Sequence, residues 1–215
     1  IPGLVGSEMC IRDRYKQNTH EGGVHVPMII HAPGHIASKN AGELRNQFIN
    51  VADIVPTIYD LLGISAPDNY HGVDQLPITG NSFSSVLKDA SASATNTLQY
   101  FEMSGSRALV YALNNVTWKA VCKHTARADY KTEPWELYRL SDDWSECNDL
   151  ARTEPEKLTQ LIDLWWSEAE RHGVLPLDDR MIELFGARFR DNSPHPPNMR
   201  YLYRPPMSPL SLIHI

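Results

Sequence analysis

Tyr15-Lys16-Gln17-Asn18-Thr19-His20-Glu21-Gly22-Gly23-Val24-His25-Val26-Pro27 runs straight into the apolar Met28-Ile29-Ile30. A glycine pair between a polar loop and an apolar stretch marks a place where the backbone passes close to something. Val24 to Ala32 alternates loosely and stops at Pro33-Gly34, which reads as a short strand closed by a turn. Lys16 stands five residues before Glu21-Gly22-Gly23. Glycines there let the chain turn tightly and return the ammonium towards the strand end, where a compact point charge suits an oxyanion. His20, four residues beyond Lys16, is placed to line the same pocket.

Working outward, Phe48-Ile49-Asn50-Val51 is a second apolar run. Asp53 sits at an N-cap and Pro56 in a first turn, where a missing N–H costs little. Ile54, Ile58, Leu61 and Leu62 then recur at helical spacing until Gly63. Residues 64–81, rich in Pro, Gly, Asp and Asn, read as a long surface loop that ends in a helical turn over Phe83 to Leu87. Ser91 to Thr97 is a small polar linker and the expected subdomain boundary.

Beyond the linker the period changes from helical to alternating. Leu98 to Met103, Arg107 to Leu113, Thr117 to Lys123 and Trp135 to Leu140 read as four strands, and the short Ser104-Gly105 and Asn114-Asn115 connections favour hairpins. In the third strand Trp118, Ala120 and Cys122 share one face, and Lys119, Val121 and Lys123 the other, a pattern expected of a half-solvated antiparallel sheet. Thr153-Glu154-Pro155-Glu156 is a capping-box pattern with an early proline. It opens the longest helix, with Leu158, Leu161, Ile162, Trp165 and Ala169 as its apolar stripe and Gly173 as its C′ residue. That helix should cover the inner face of the meander. A short amphipathic piece at Met181 to Phe185 then precedes a Pro- and Arg-rich tail.

Composition excludes several classes of function. With 42% hydrophobic and 21% charged residues the 215-residue chain can bury a real core, and its net charge of −6 argues against nucleic-acid or anionic-membrane partners. No apolar run approaches the about 18 to 20 residues of a membrane span. Cys10, Cys122 and Cys147 form no C-x-x-C pair, so neither a disulfide framework nor a zinc knuckle is supported. His20, His25, His31 and His35 cluster, but at spacings that fit neither one helix face nor one strand face. Arg107, just after Gly105-Ser106, starts a strand where a loop could present it to an anionic substrate. A surface arginine paired with carboxylates is the alternative. Asn115-Val116-Thr117 matches a glycosylation sequon, which has meaning only in a secretory context.

Lys16-x4-Glu21-Gly22-Gly23-x-His25-Val26-Pro27 resembles the lysine-to-proline segment of the sulfatase family, of alkaline-phosphatase-like fold. Val51-Ala52-Asp53-Ile54-Val55-Pro56-Thr57-Ile58 with Gly63-Ile64 is similar to the family's following helix, and Gly72-Val73-Asp74 through Gly80 to Leu87 to its loop and short helix. Gly105-Ser106-Arg107-Ala108, Trp118-Lys119-Ala120-Val121, Trp135-Glu136-Leu137-Tyr138 and Asn148-Asp149-Leu150 resemble the C-terminal meander of bacterial arylsulfatases and the approach to its closing helix. The resemblance covers residues 15–175. His25 stands where the family most often carries arginine.

The resemblance implies an α/β fold of alkaline-phosphatase-like sulfatase type, C-terminal part: a remnant of the main mixed sheet plus a four-stranded antiparallel meander packed on a long helix. The expected organisation is a non-native end at 1–14, resembling translated adapter sequence, and the C-terminal portion of the catalytic domain at 15–97. A sheet-plus-helix subdomain follows at 98–175, then a Pro/Arg-rich tail at 176–209 and a second non-native end at 210–215. The implied activity is hydrolysis of a small-molecule or glycan sulfate ester, with Lys16 contacting the sulfate and His20 and Arg107 as further substrate-binding candidates.

The family's formylglycine arises from a Cys/Ser-x-Pro-Ser-Arg motif, which none of the cysteines here matches, and its calcium ligands have no counterpart. The expectation is therefore a fragment without nucleophile or metal site, inactive alone, with Val24 to Ile30 as an edge strand or poorly covered. Two other readings stay open: a phosphonate monoester or phosphodiester hydrolase of the same superfamily, and a non-catalytic module binding sulfated glycans through the aromatics of the meander. Compartment and oligomeric state are not legible in the sequence.

Overall fold

Ser104 and Gly105 both take positive φ, 51° and 88°, which is the geometry of the hairpin turn whose twist matches that of two antiparallel strands. That turn joins β3 (Leu98–Met103) to β4 (Ser106–Leu113), with Met103 opposite Ser106. β5 (Val116–Cys122) returns along β4, and β6 (Glu136–Arg139) along β5, in the order β3-β4-β5-β6. The two-residue connections before and after β4 leave no chain for a crossover, and β6 also pairs antiparallel after the longer loop 123–135. The expected meander is present, each strand within a residue or so of its expected bounds.

These features belong to a computed structural model that describes residues 18–36, 42–113 and 116–179. Lys16, Cys10, Asn115 of the sequon, the Met181 to Phe185 piece and both expected non-native ends lie outside the described residues. The chain divides after Leu177, and the sheet, helices and clusters all belong to the unit that ends there.

The inner face of the sheet presents Leu109, Ala120 and Leu137, which stand side by side in register across β4, β5 and β6. A 17-residue helix, Pro155–Arg171, lays Leu161, Trp165 and Ala169 onto them, and all six side chains are fully out of solvent. Trp165 also donates its indole N–H to the Phe101 carbonyl at 3.0 Å, so the largest core side chain leaves no polar atom unsatisfied. Pro155 occupies the first turn and Gly173, at φ 66°, follows the helix end as expected. The capping box does not form. Glu154 holds the N-cap without a side-chain bond, and the Thr153 hydroxyl turns back to the Leu150 carbonyl at 3.1 Å.

Upstream the chain builds a smaller, more polar layer. Glu21–Val24 is a single helical turn, α1. Ile54–Leu62 is α2, closed by Gly63 at φ 64°, Ser84–Lys88 is α3, and the long helix Pro155–Arg171 is α4. Asp53 stands at the N-cap of α2, yet its carboxylate does not cap that helix. Buried at 1% exposure, it accepts the backbone N–H of Asn50 and of Asn81 at 2.7 and 2.8 Å, and the side-chain amide of Asn96. It thereby ties the loop before α3 to the entry of α2. Phe83, Val86 and Leu87 make a second apolar cluster with Ile30, Ile49 and Leu61. The expected loop 64–81 carries a small hairpin, β1 (Asn69–Tyr70) with β2 (Val73–Asp74), turned by His71 and Gly72 at positive φ.

Two expectations need correction. Val24 to Ala32 is no strand: α1 ends at Val24 and residues 25–32 have no regular structure, with Val26 and Ile29 at 73% and 96% exposure. A strand exists only where a neighbour takes its backbone bonds, and among the described residues none lies beside this segment. The poor cover expected there is observed. The second face of β5 is likewise not solvated: Lys119 and Val121 are both fully buried. Ala108, Val121 and Tyr138 form a third apolar cluster on that face, and the polar cover over Lys119 is supplied by α1 and by Glu146.

Candidate functional site

The turn that follows the Lys16 segment has no large apolar side chain with which to fasten itself. Thr19-His20-Glu21-Gly22-Gly23 is instead fixed by polar bonds, and it lies on the outer face of the meander. The Thr19 hydroxyl donates to the Arg107 carbonyl at 3.1 Å. The His20 Nε2 meets the Glu136 carboxylate at 2.8 Å, and the same oxygen accepts the Tyr138 hydroxyl at 2.9 Å. The Glu21 backbone N–H donates to Glu146 at 2.9 Å. Within the turn, Gly23 and His25 donate their N–H groups to the carbonyls of His20 and Glu21, both at 2.8 Å. Thr19 and His20 are 2% and 1% exposed.

At the centre stands Lys119. Its ammonium is fully out of solvent and lies 2.6 Å from Glu21 and 3.0 Å from Glu146. β5 aims this side chain outward from the long helix because residue 119 alternates with Ala120, which packs beneath α4. The other Glu21 oxygen meets the His25 Nδ1 at 2.8 Å. Burial pushes the Glu21 carboxyl up, but the His25 bond and the Lys119 charge outweigh it and hold it below its ordinary value. Bonding to that carboxylate raises His25 against a smaller effect of its own burial.

Of the sequence-derived site residues, His20 and Arg107 are described and Lys16 is not. Lys16 precedes the described residues by two positions and Thr19 by three. His20 is held at the base of the turn, its Nε2 committed to Glu136 and its buried Nδ1 without a partner.

Arg107 corrects the expectation of a loop-presented anion binder. It is fully buried on the opposite face of the sheet, its guanidinium 2.6 Å from Glu133, 2.9 Å from the Tyr130 carbonyl and 2.9 Å from the Cys122 sulfur. The rings of Trp135 and Tyr130 each lie with centroids 5.3 Å from its guanidinium carbon. Residue 107 alternates in phase with Leu109, and that phase turns it under α4. The pairing with a carboxylate, foreseen as the alternative, is what occurs, in the core instead of at the surface.

From sequence alone, Lys119, Glu146, Glu136 and Tyr138 were not placed in the site. A charged residue in the apolar Val116–Cys122 strand was the available signal, and period-two alternation placed it on a wet face because nothing in the sequence marks which loop will cover that face.

A family model described as N-sulphoglucosamine sulphohydrolase, C-terminal, matches residues 13–168, the span that holds the docked turn, the meander and most of α4. The chain belongs to the sulfatase family. An uncharacterized sulfatase of Schizosaccharomyces pombe is 32% identical over 175 residues, covering 77% of this chain and 29% of the relative. Human arylsulfatase K is 29% identical over 145 residues, covering 67% and 26%. A solved protein in complex with its substrate D-glucosamine-2-N,6-O-disulfate aligns at a TM-score of 0.41 and 19% identity, over 60% of this chain and 25% of that one. The chain thus spans less than a third of the length of the curated sulfatases it matches.

Proposed function

We propose that this chain is the C-terminal part of a sulfatase that hydrolyses sulfate esters, in which Lys16 holds the sulfate group of the substrate. The observation that carries the reading is the docking of Thr19 to Glu21 through Lys119 and Glu146, because it gives the segment bearing Lys16 a fixed base on the sheet. The family match supports it by taking in Lys16 and that turn together. Relatives named arylsulfatase K support a sulfate ester as substrate, and small aryl esters and glycans are both candidates in this reading.

In this reading the chemistry of the chain's own residues is electrostatic. The Lys16 ammonium offsets negative charge on the sulfate oxygens, and it does so best where water is scarce and the cation needs no rearrangement. The family resemblance implies a calcium ion and a formylglycine in the complete enzyme. The residues described do not fit either group: no three His, Cys, Asp or Glu side chains among them are placed to hold a metal ion. Cys122 is buried against Arg107, and Cys147 lies in Cys147-Asn148-Asp149, which is not the modified motif. Neither group's chemistry is assigned to these residues.

The test is Lys16→Ala in the complete enzyme, with kcat/KM measured on an aryl sulfate and on the matching phosphate monoester. Loss of one oxyanion partner should lower the sulfate value about 100-fold or more. An unchanged value would remove Lys16 from the site, and a phosphate ester turned over faster than the sulfate would move the enzyme to the phosphoryl-ester branch of the superfamily.

A further inference from the structure

A lysine with no exposure is rare unless paired, and pairing alone does not explain one. An apolar side chain of similar volume often serves stability as well, because removing two charges from water costs about as much as their attraction returns. Lys119 is therefore best accounted for by something only a buried cation can do. Glu21 and Glu146, 125 residues apart, converge on it at 2.6 and 3.0 Å, the first as a hydrogen-bonded pair and the second as an ion pair without hydrogen-bond geometry, and Glu146 also takes the Glu21 backbone N–H at 2.9 Å. The three groups close a ring that includes main chain. A point charge held between two carboxylates fixes both of them, whereas methionine at position 119 would leave two buried like charges without the cation between them.

The ring closes on the turn with least means of holding itself. Gly22 and Gly23 bring no side chain, and the bonds of Thr19 and His20 secure only the N-terminal approach.

We propose that Lys119 is the positioning residue of the sulfatase site: by clamping Glu21 and Glu146 it holds the Thr19-His20-Glu21 turn on the outer face of the meander and thereby sets where Lys16 stands. This rests on the reading of Lys16 as the sulfate contact. Lys119 touches no substrate and acts through the loop.

Two measurements test it. The first is hydrogen exchange on the 215-residue chain, comparing wild type with Lys119→Met and Glu146→Gln. The amides of Glu21, Gly23 and His25 should exchange at least about tenfold faster in both variants, while the β3–β4 ladder keeps its protection. Unaltered exchange at the three amides overturns the proposal. If Lys119→Met also loses the ladder it has unfolded, and the milder Glu146→Gln decides.

The second is kinetic, in the complete enzyme. Glu146→Gln should lower kcat on an aryl sulfate about tenfold with a smaller change in KM, yet cost less than about twofold when added to Lys16→Ala, since a misplaced lysine and an absent one lose the same interaction. Effects that multiply would show that the clamp does not act through Lys16 and would overturn the proposal. If Lys16→Ala itself leaves kcat/KM unchanged, the reading of Lys16 fails, and the exchange result still says whether the clamp exists.

Discussion

Lys119 and Glu21 are separated by 98 residues and meet at 2.6 Å, the ammonium fully buried and the carboxylate nearly so. The pair joins a polar turn of the N-terminal segment to a strand whose other face lies under the long helix. Through it the fold of the meander and the placement of the family's lysine-bearing segment become one problem. The inner face of the sheet carries the core beneath α4, and the outer face carries the polar contacts that hold the turn.

The same division of labour gives Arg107 a definite prediction. With its guanidinium bound to Glu133 beneath α4, Arg107→Met takes away the permanent charge that faces this carboxylate and leaves it His124 and the Thr125 N–H, so it should cost about 1 to 3 kcal/mol in urea unfolding. Burial pushes Glu133 up, but the His124 bond, the Thr125 N–H and the charges of His124 and Arg107 bring it below its ordinary value of 4.5. That contribution is present above pH 4.5 and is lost as pH falls through the lowered value. Adding Glu133→Gln to Arg107→Met should recover part of the loss. A single variant as stable as wild type would show that the pair contributes nothing.

Trp165 carries the inner core. Trp165→Ala should destabilise by about 3 to 5 kcal/mol, and Trp165→Phe by much less, since it keeps most of the ring and forfeits the bond to the Phe101 carbonyl. Urea midpoints compare the two; equal losses would mean that the hydrogen bond, and not the packing, dominates.

Much of this fold was legible because its parts are local. The β3–β4 hairpin follows from Ser104-Gly105, α2 from Ile54, Ile58, Leu61 and Leu62 closed by Gly63, and α4 from Pro155, its leucines and Gly173. The order of the motifs indicated the sulfatase family for the same reason. What was not legible depends on contacts that local pattern does not specify: the burial of Lys119 under Glu21, 98 residues away, and Glu146, the turn of Arg107 into the core beside Glu133, 26 residues away, and the failure of Val24 to Ala32 to become a strand. Alternation gives the two faces of a strand but never says what will cover them, and a strand needs a partner that its own residues do not specify. Of the candidate site, His20 reached the docked turn and Arg107 did not.

Two glycines separate backbone strain from steric crowding. Gly63 at φ 64° has open space where a Cβ would sit, so Gly63→Ala should cost about 1 kcal/mol from the left-handed conformation alone. At Gly80 a Cβ would stand 2.1 Å from the Ala52 carbonyl oxygen, which is main chain and cannot swing aside. Gly80→Ala should therefore cost clearly more, because the displaced backbone carries Asn81, whose N–H holds Asp53. Thermal melts of the two variants check the ranking, and a Gly80→Ala protein as stable as Gly63→Ala would mean that the loop before α3 yields without penalty.

The clamp on the docked turn also has a pH signature, set by Glu21 and His25. Glu21 is depressed below 4.5, so its share of stability is present above that pH and is lost as pH falls through the depressed value. His25 is raised above 6.5 by its bond to Glu21, against burial and the opposing charge of Lys119. Its share is complete below 6.5 and is lost as pH rises through the raised value. The pair therefore contributes most between about pH 4.5 and 6.5. Because the His25 side chain is 66% exposed, solvent screens the interaction and the effect should stay below about 1 kcal/mol. Other histidines titrate in the same range, so the informative quantity is the stability of wild type minus that of His25→Gln. Urea unfolding at pH 5.5 and pH 8.5 should give a larger difference at the acid value; a difference equal at both would mean that the charge on His25 does not reach the turn that Lys119 holds.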